Sequence, residues 1–242
     1  MKKRKGRYYI GTSGWHYEHW LGTFYPKDLP KSQMLEFYSK SFSTVEINNT
    51  FYRLVNKNTY QSWKDSTPNE FIFSVKASRQ ITHYQKLKNI SYSLKKFISG
   101  TKYLKNKLGA CLFLLSPNFK LNHERLEGFL KQLPKSRFAV EFRDPSWFDE
   151  EVYSLLKDYS CAFCIYEFDR VLSPHVITTD FVYIRLHGPS GPYSGRYSKK
   201  TLLEWASKIT KWSHMGKDIF VYFDNDEKGY APLNALELME ML

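Results

Sequence analysis

Short runs rich in β-branched and aromatic residues recur along the whole chain, and most are separated by a segment with helical patterning. The runs begin near Tyr8, Thr44, Phe71, Leu108, Arg137, Cys161, Phe181 and Asp218, which makes eight predicted strands. Helical patterning is predicted at Met34 to Ser39, Asn58 to Asp65, Ile90 to Lys105, His123 to Gln132, Glu150 to Asp158, Lys199 to Trp212 and Leu233 to Met241. The link between the sixth and seventh strands lacks such a segment. Alternating strands and helices imply parallel pairing with right-handed crossovers. Eight such units predict an α/β fold, a closed (β/α)8 TIM barrel forming a single domain over residues 8–242 behind a basic tail at 1–7. The competing architecture is an open doubly wound sheet, but neither G-x-G-x-x-G nor G-x-x-x-x-G-K-[ST] occurs to support it. A chain of 242 residues is of ordinary size for a one-domain barrel.

Strands covered on both faces default to continuous apolar runs. Several strands here break that default with a period of two, which collects their polar residues on one face. Thr44, Glu46 and Asn48 alternate with Val45 and Ile47; Ala139, Glu141 and Arg143 alternate with Val140 and Phe142. Tyr183, Arg185 and His187 alternate with Val182, Ile184 and Leu186, and Tyr222 and Asp224 with Val221 and Phe223. Ser74 and Lys76 repeat the pattern in the third strand. With the aliphatic set against the helices, the polar set points into the barrel. Its charged members gather toward the carboxyl ends of the strands, where barrel enzymes place their active sites. An isolated buried charge costs several kcal/mol or more, so this cluster must be mutually paired, wet or occupied by a ligand. A self-neutralising structural network is the alternative to a site.

Charge is unevenly distributed: residues 1–120 carry 21 Lys/Arg against 6 Asp/Glu, whereas residues 121–242 carry 15 against 18. The net charge of +12 favours polyanions or anionic small molecules as partners. Much of the excess lies in Lys2, Lys3, Arg4, Lys5 and Arg7 and in the run from Lys86 to Lys107, whose plainer reading is a solvated tail and a solvated helix face. A chain 42% hydrophobic and 25% charged argues against disorder and fibrous roles. Three cysteines are too few and odd in number for a disulfide framework, which points to a reducing compartment. Cys161 and Cys164 lie three apart in one apolar run, on opposite faces of a strand, and read as packing rather than as a zinc or redox pair. No apolar segment follows the basic N-terminus, and none approaches the roughly 18 residues of a membrane span. The expectation is a cytoplasmic, soluble protein with no membrane partner; oligomeric state is not set by the sequence.

The blocks Gly11-Thr12-Ser13-Gly14-Trp15-His16-Tyr17, Gly22-Thr23-Phe24-Tyr25-Pro26 and Val45-Glu46-Ile47-Asn48-Asn49-Thr50-Phe51-Tyr52 resemble the YecE-like family, domain of unknown function 72. Phe73-Ser74-Val75-Lys76, Ile81-Thr82-His83, Ala139-Val140-Glu141-Phe142-Arg143 with Trp147, Arg185-Leu186-His187-Gly188 and Tyr222-Phe223-Asp224-Asn225 with Asn234-Ala235 continue the likeness in order. The resemblance implies a TIM barrel and strengthens the site residues that fall within these blocks without naming a substrate, because the family's activity is not established. Two departures stand out. The family tends to read Gln-Leu-Pro-Pro where this chain has Leu114-Leu115-Ser116-Pro117, which removes an amide from the mouth, and Asn-Asn becomes Asp224-Asn225.

Glu46 and Glu141 lie on the second and fifth of eight strands, a placement suited to paired acid and base work across the mouth. His187 titrates near neutrality when unperturbed and completes the predicted catalytic set. Arg143, Arg185 and Lys76 form a clamp for phosphate or carboxylate, Arg by its planar fork. Tyr17, Asn48, Tyr52, His83, Trp147, Tyr193, Asp224 and Asn225 are further substrate-binding candidates, and the Gly188–Tyr197 loop reads as a mobile lid. Glu46, Glu141, His187 and Asp224 are acceptable ligands for a divalent metal. With no H-E-x-x-H motif and three cations nearby, no metal or other cofactor is expected. The leading expectation is an enzyme, a hydrolase or a lyase/isomerase, acting on an anionic, phosphorylated or sugar-containing small molecule. The alternative is a nucleic-acid-binding protein, with or without phosphodiester cleavage, using the basic N-terminal half. A non-catalytic sensor is the third.

Overall fold

The computed structural model describes residues 4–169 and 171–242. Eight strands run parallel: β1 (Tyr8–Thr12), β2 (Thr44–Ile47), β3 (Ile72–Lys76), β4 (Leu108–Leu114), β5 (Phe138–Glu141), β6 (Ala162–Phe168), β8 (Phe181–Leu186) and β9 (Asp218–Phe223). The sheet order is β1-β9-β8-β6-β5-β4-β3-β2, so from β2 onward each parallel strand pairs with the next parallel strand in the chain, and the last, β9, pairs with β1. The crossovers carry α1 (Met34–Ser41), α2 (Asn49–Tyr52) with α3 (Lys57–Asp65), α4 (Ser91–Thr101), α5 (His123–Leu130), α6 (Glu150–Asp158) and α7 (Lys199–His214), and α8 (Tyr230–Glu240) ends the chain. Asn56, Asn122, Asp149 and Ser198 cap α3, α5, α6 and α7 by accepting from first-turn amides. The link without helical patterning, between β6 and β8, holds instead the two-residue β7 (Val171–Leu172), folded back antiparallel on β6. Among the described residues no helix is long and apolar enough to cross a membrane.

The expected closed cylinder is incomplete at one seam. Between β1 and β2 the ladder reduces to a single bridge, Ser13 with Glu46, and the Gly14 amide donates to the Glu46 carbonyl over 2.8 Å. Below that point a buried hydroxyl replaces the ladder. Tyr38 from α1 accepts from the Thr12 amide at 2.9 Å and donates to the Thr44 carbonyl at 3.1 Å. Gly11 leaves room for this wedge, since a Cβ there would lie 2.3 Å from the Thr44 carbonyl oxygen and 2.8 Å from the Tyr38 hydroxyl. The backbone groups are thereby satisfied without direct strand pairing.

The alternation predicted from the sequence is realised. The aliphatic set packs against the helices, and the interior set forms a second cluster. At the base, Tyr9, Phe181 and Phe220 from neighbouring strands pack against one another, and Ala110, Ala139 and Ala162 from β4, β5 and β6 join the same cluster. Large side chains thus meet small ones and fill the barrel. One layer up, the Tyr222 hydroxyl lies 2.8 Å from both Thr44 Oγ1 and Ser74 Oγ. Cys161 joins the outer cluster and Cys164 the inner one, as their spacing predicts. Of the predicted basic tail, residues 1–3 lie outside the described residues. Residues 4–7 lie against the base, where Asp218 accepts from Arg4 Nη2 at 2.8 Å and from the Arg7 amide at 3.0 Å.

Candidate functional site

The charged layer closes the top of this filled interior, and Arg185 on β8 is its centre. Its guanidinium donates to Glu46 Oε1 from β2 (2.9 Å), Glu141 Oε2 from β5 (2.9 Å) and Asp224 Oδ2 just past β9 (2.9 Å). Arg185, Glu46, Glu141 and His187 are fully buried. A guanidinium can serve three carboxylates because its five donors lie in one plane. Glu46 is saturated further: Tyr183 donates to its Oε2 at 2.7 Å, and Ser13 donates to its Oε1. Ser13 Oγ also accepts from Asn48 Nδ2 at 2.7 Å and from Arg185 at 2.9 Å. Ser13 was absent from the sequence candidates. Its signal was its position just past β1, in the same alternation as inward-facing Tyr9.

Arg143 reaches Glu141 from the solvent side, its Nε 2.6 Å from Oε1. Burial acts to raise the Glu141 carboxyl, but Arg143 and Arg185 outweigh it and hold the group well below the usual carboxylate range. Asp224 is lowered in the same way, with Arg185 and then His187 overcoming burial. His187 Nε2 lies 3.1 Å from both Arg143 Nη2 and Arg185 Nη1, against 3.3 Å from Glu141 Oε1. Two donors closer than one acceptor assign Nε2 as an accepting nitrogen, with the ring proton on Nδ1. Nδ1 stands 3.0 Å from Asp224 Oδ2, the contact through which His187 lowers that carboxyl. Buried oxygens of Asn48, Asn49 and Asn225 at the same rim are unpartnered, and such atoms call for water or a ligand.

Lys76, the last residue of β3, differs from the other cations. It is 8% exposed, makes no ion pair among the described residues, and holds its Nζ 4.5 Å above the Phe51 ring. Burial, then Arg185, pulls its pKa down to about 8 against the opposing pull of Asp224, Glu46 and Glu141. The same Phe51 ring meets His83 edge-on, and His83 helps wall a cavity of about 320 Å³ together with Arg143, Tyr166, Phe168, Tyr193 and Leu115 among others. Burial and the cations Lys76, Arg143 and Arg79 lower His83. The side of the network that faces outward is therefore cationic, while its carboxylates lie beneath.

Several predicted contact residues also hold the fold together. Trp147 is a core residue: it is fully buried, donates to the Phe119 carbonyl at 2.5 Å and stacks on Phe142, so it offers no ring to a ligand. Tyr17 packs on Trp20 and donates to the Ser13 carbonyl at 2.8 Å, bracing the first loop. Tyr52 is 66% exposed, outside the cavity, with Arg79 over its ring. Asn225 spends its amide on the Gly195 carbonyl (2.8 Å) and Asn234 (3.0 Å), so it anchors the Gly188–Tyr197 loop. That loop is pinned at its end by buried Tyr197, whose hydroxyl accepts from the Gly188 amide. Within it Pro189, Ser190, Pro192 and Arg196 are exposed, and Tyr193, 45% exposed, lies over His187 and Phe168. Gly188 adopts a φ of 114°, and a Cβ there would lie 2.1 Å from the Ser194 carbonyl. The four groups considered as metal ligands surround the Arg185 guanidinium, which stands where a cation would have to sit. These residues therefore do not fit a metal.

The family model described as "Protein of unknown function DUF72" matches residues 9–242. The UPF0759 protein YunF of Bacillus subtilis (strain 168) is 28% identical over 97% of this chain and 94% of its own length. The UPF0759 protein YecE of Escherichia coli (strain K12) is 27% identical over 58% of this chain and 50% of its own. Among solved structures, a DUF72 family protein from Thermotoga maritima MSB8 superposes with a TM-score of 0.89 at 30% identity, covering 97% of this chain and 98% of that one. One from Enterococcus faecalis V583, at 19% identity and a TM-score of 0.84, covers 97% and 95% and shares the fold. An eight-strand parallel barrel with these blocks in this order, matched along its length, makes the chain a member of the DUF72 family.

Proposed function

We propose that the chain is an enzyme of TIM-barrel type whose mouth binds an anionic small molecule, phosphorylated or sugar-containing, through Arg143 and Lys76. The observation that carries the reading is the division of labour among the cations. Arg185 neutralises the buried carboxylates, which leaves the Lys76 ammonium with no ion pair among the described residues and Arg143 flanking a cavity. A desolvated cation without a counter-ion attracts an anion strongly. Glu46, Glu141 and His187, the predicted proton-transfer groups, are buried with their lone pairs already accepting from donors. In this reading they hold Arg185 and Arg143 in place. Three buried free cysteines suit a cytoplasmic location. The test is titration with inorganic phosphate by calorimetry. Arg143→Gln and Lys76→Met should each weaken binding at least ~10-fold, as expected for loss of a charge-assisted contact; equal affinity in all three proteins refutes the reading.

A second reading, single-stranded nucleic acid, has one observation in its favour. Arg79 lies 5.5 Å from the ring centres of both Tyr52 and Tyr84, which are exposed. A cavity of about 400 Å³ alongside is lined by Tyr52, Arg53, Tyr92 and Lys96. Cations interleaved with exposed rings suit stacked bases. Affinity for an oligonucleotide that falls steeply with salt and is lost in Tyr52→Ala supports it; salt-independent or absent binding removes it.

A further inference from the structure

Among the described residues two lysines are buried, Lys76 and Lys107. Lys107 spends its ammonium on the carbonyls of Lys64 (2.6 Å) and Thr67 (2.8 Å) and on the Thr67 hydroxyl. Lys76 has no such partner. One apolar ring serves both it and an imidazole: Phe51 lies under Nζ at 4.5 Å and meets His83 edge-on at 5.1 Å. His83 in turn shares the wall of the cavity with Arg143.

We propose that Lys76 is a nucleophile that condenses with the carbonyl carbon of an anionic aldehyde or ketone, with His83 moving the protons and Arg143 holding the anionic group. The proposal rests on the reading of the mouth as an anion site. The neutral amine's lone pair forms the C–N bond while the carbonyl π electrons move to oxygen. One proton passes from nitrogen to that oxygen through His83 to give a carbinolamine; the nitrogen lone pair then forms the C=N bond as the C–O bond breaks, the second nitrogen proton passes through His83 to the departing hydroxyl, and water leaves. An imine and one water account for every atom, and no oxidant or reductant is needed.

The surroundings suit each step. The charged groups acting most on Lys76 come from different strands or their ends: Arg185 from β8 lowers it after burial, and Asp224 past β9, Glu46 from β2 and Glu141 from β5 oppose, while His83 couples to it. With a pKa of about 8, roughly one amine in ten is unprotonated at pH 7, against about one in 2,500 for an exposed lysine. Burial and the neighbouring cations keep His83 neutral at that pH, so it can accept the proton. Thr82 Oγ1, 2.9 Å from His83 Nδ1, orients the ring.

The full-length protein is incubated at pH 7 with pyruvate or with dihydroxyacetone phosphate, reduced with borohydride and mapped by peptide mass spectrometry. The expected result is an adduct at Lys76 forming at least ~10-fold faster than at any other lysine, in line with its larger free-amine fraction. Its pH profile should have a midpoint of about 8. His83→Gln should slow the labelling at least ~10-fold, as for loss of a general acid–base group. Adducts spread over the exposed lysines with no preference for Lys76 overturn the proposal. A phosphate titration of the same preparations separates the two readings. Phosphate binding that depends on Arg143, without a Lys76 adduct, removes the amine chemistry alone; no such binding removes the anion site as well.

Discussion

Replacing Arg185 with methionine removes the guanidinium that three buried carboxylates share. Breaking a buried ion pair by deleting one partner costs about 3–5 kcal/mol, because the other charge stays buried and unpaired. Among the described residues Glu46 and Asp224 lose their only arginine partner and Glu141 keeps Arg143. The cost of Arg185→Met should therefore reach the upper end, about 5 kcal/mol, against a total stability of about 5–15 kcal/mol for a typical protein. The effect carries a pH signature. Glu141 and Asp224 titrate below the ordinary range in the folded protein. Groups lowered in this way contribute stability that is present above the unfolded pKa and lost as pH falls through the folded one, so the wild type loses this contribution only below about pH 4. Without the guanidinium, burial raises the carboxyls instead. The folded variant then takes up protons more readily than its unfolded chain, and the stability gap between the two proteins narrows from pH 8 to pH 5. Urea denaturation followed by tryptophan fluorescence at both pH values measures it. A loss under about 1 kcal/mol that is the same at pH 5 and pH 8 would refute the network as described.

Three further perturbations test other parts of the fold. Tyr38→Phe leaves the Thr12 amide and the Thr44 carbonyl without their shared hydroxyl; a loss of about 1–3 kcal/mol, seen as a fall in Tm, is expected, and an unchanged Tm would mean the seam does not need it. Trp147→Phe should cost about 1–3 kcal/mol through the lost bond to Phe119 while phosphate affinity stays the same; weakened phosphate binding without loss of stability would return Trp147 to the site. Lys107→Met removes a charge-assisted cap on carbonyls near the end of α3 and should destabilise by about 1.5–3 kcal/mol in thermal denaturation; no change would show that water replaces the ammonium.

The strand register was legible because a side-chain period of two has only one way to hide its aliphatic half. Val45, Ile47, Val140, Ile184 and Val221 had to face the helices, so Glu46, Glu141, Arg185 and Asp224 had to face the axis. Which of these charges would remain available to a ligand was not legible. Arg143 and Arg185 carry the same motif signal two residues from an interior partner. One rises past the end of β5 beside a cavity, and the other is fully buried among three acids. Aromatic residues misled for a related reason. Trp147 and Tyr52 both follow strand ends, yet the loop geometry turns the first into the core and the second to solvent.

The sequence by itself determined the eight-unit alternation, the inward set of polar residues, the packing role of Cys161 and Cys164, and membership of an acidic–basic cluster at one rim, because these follow from periodicity along the chain. The tertiary structure alone decided the incomplete seam filled by Tyr38, the choice of Arg185 as the shared counter-ion, and the isolation of Lys76 over Phe51. Those outcomes depend on distances between residues far apart in the chain. A carboxylate's partner is set by which guanidinium arrives within about 3 Å, and periodicity holds no record of that distance.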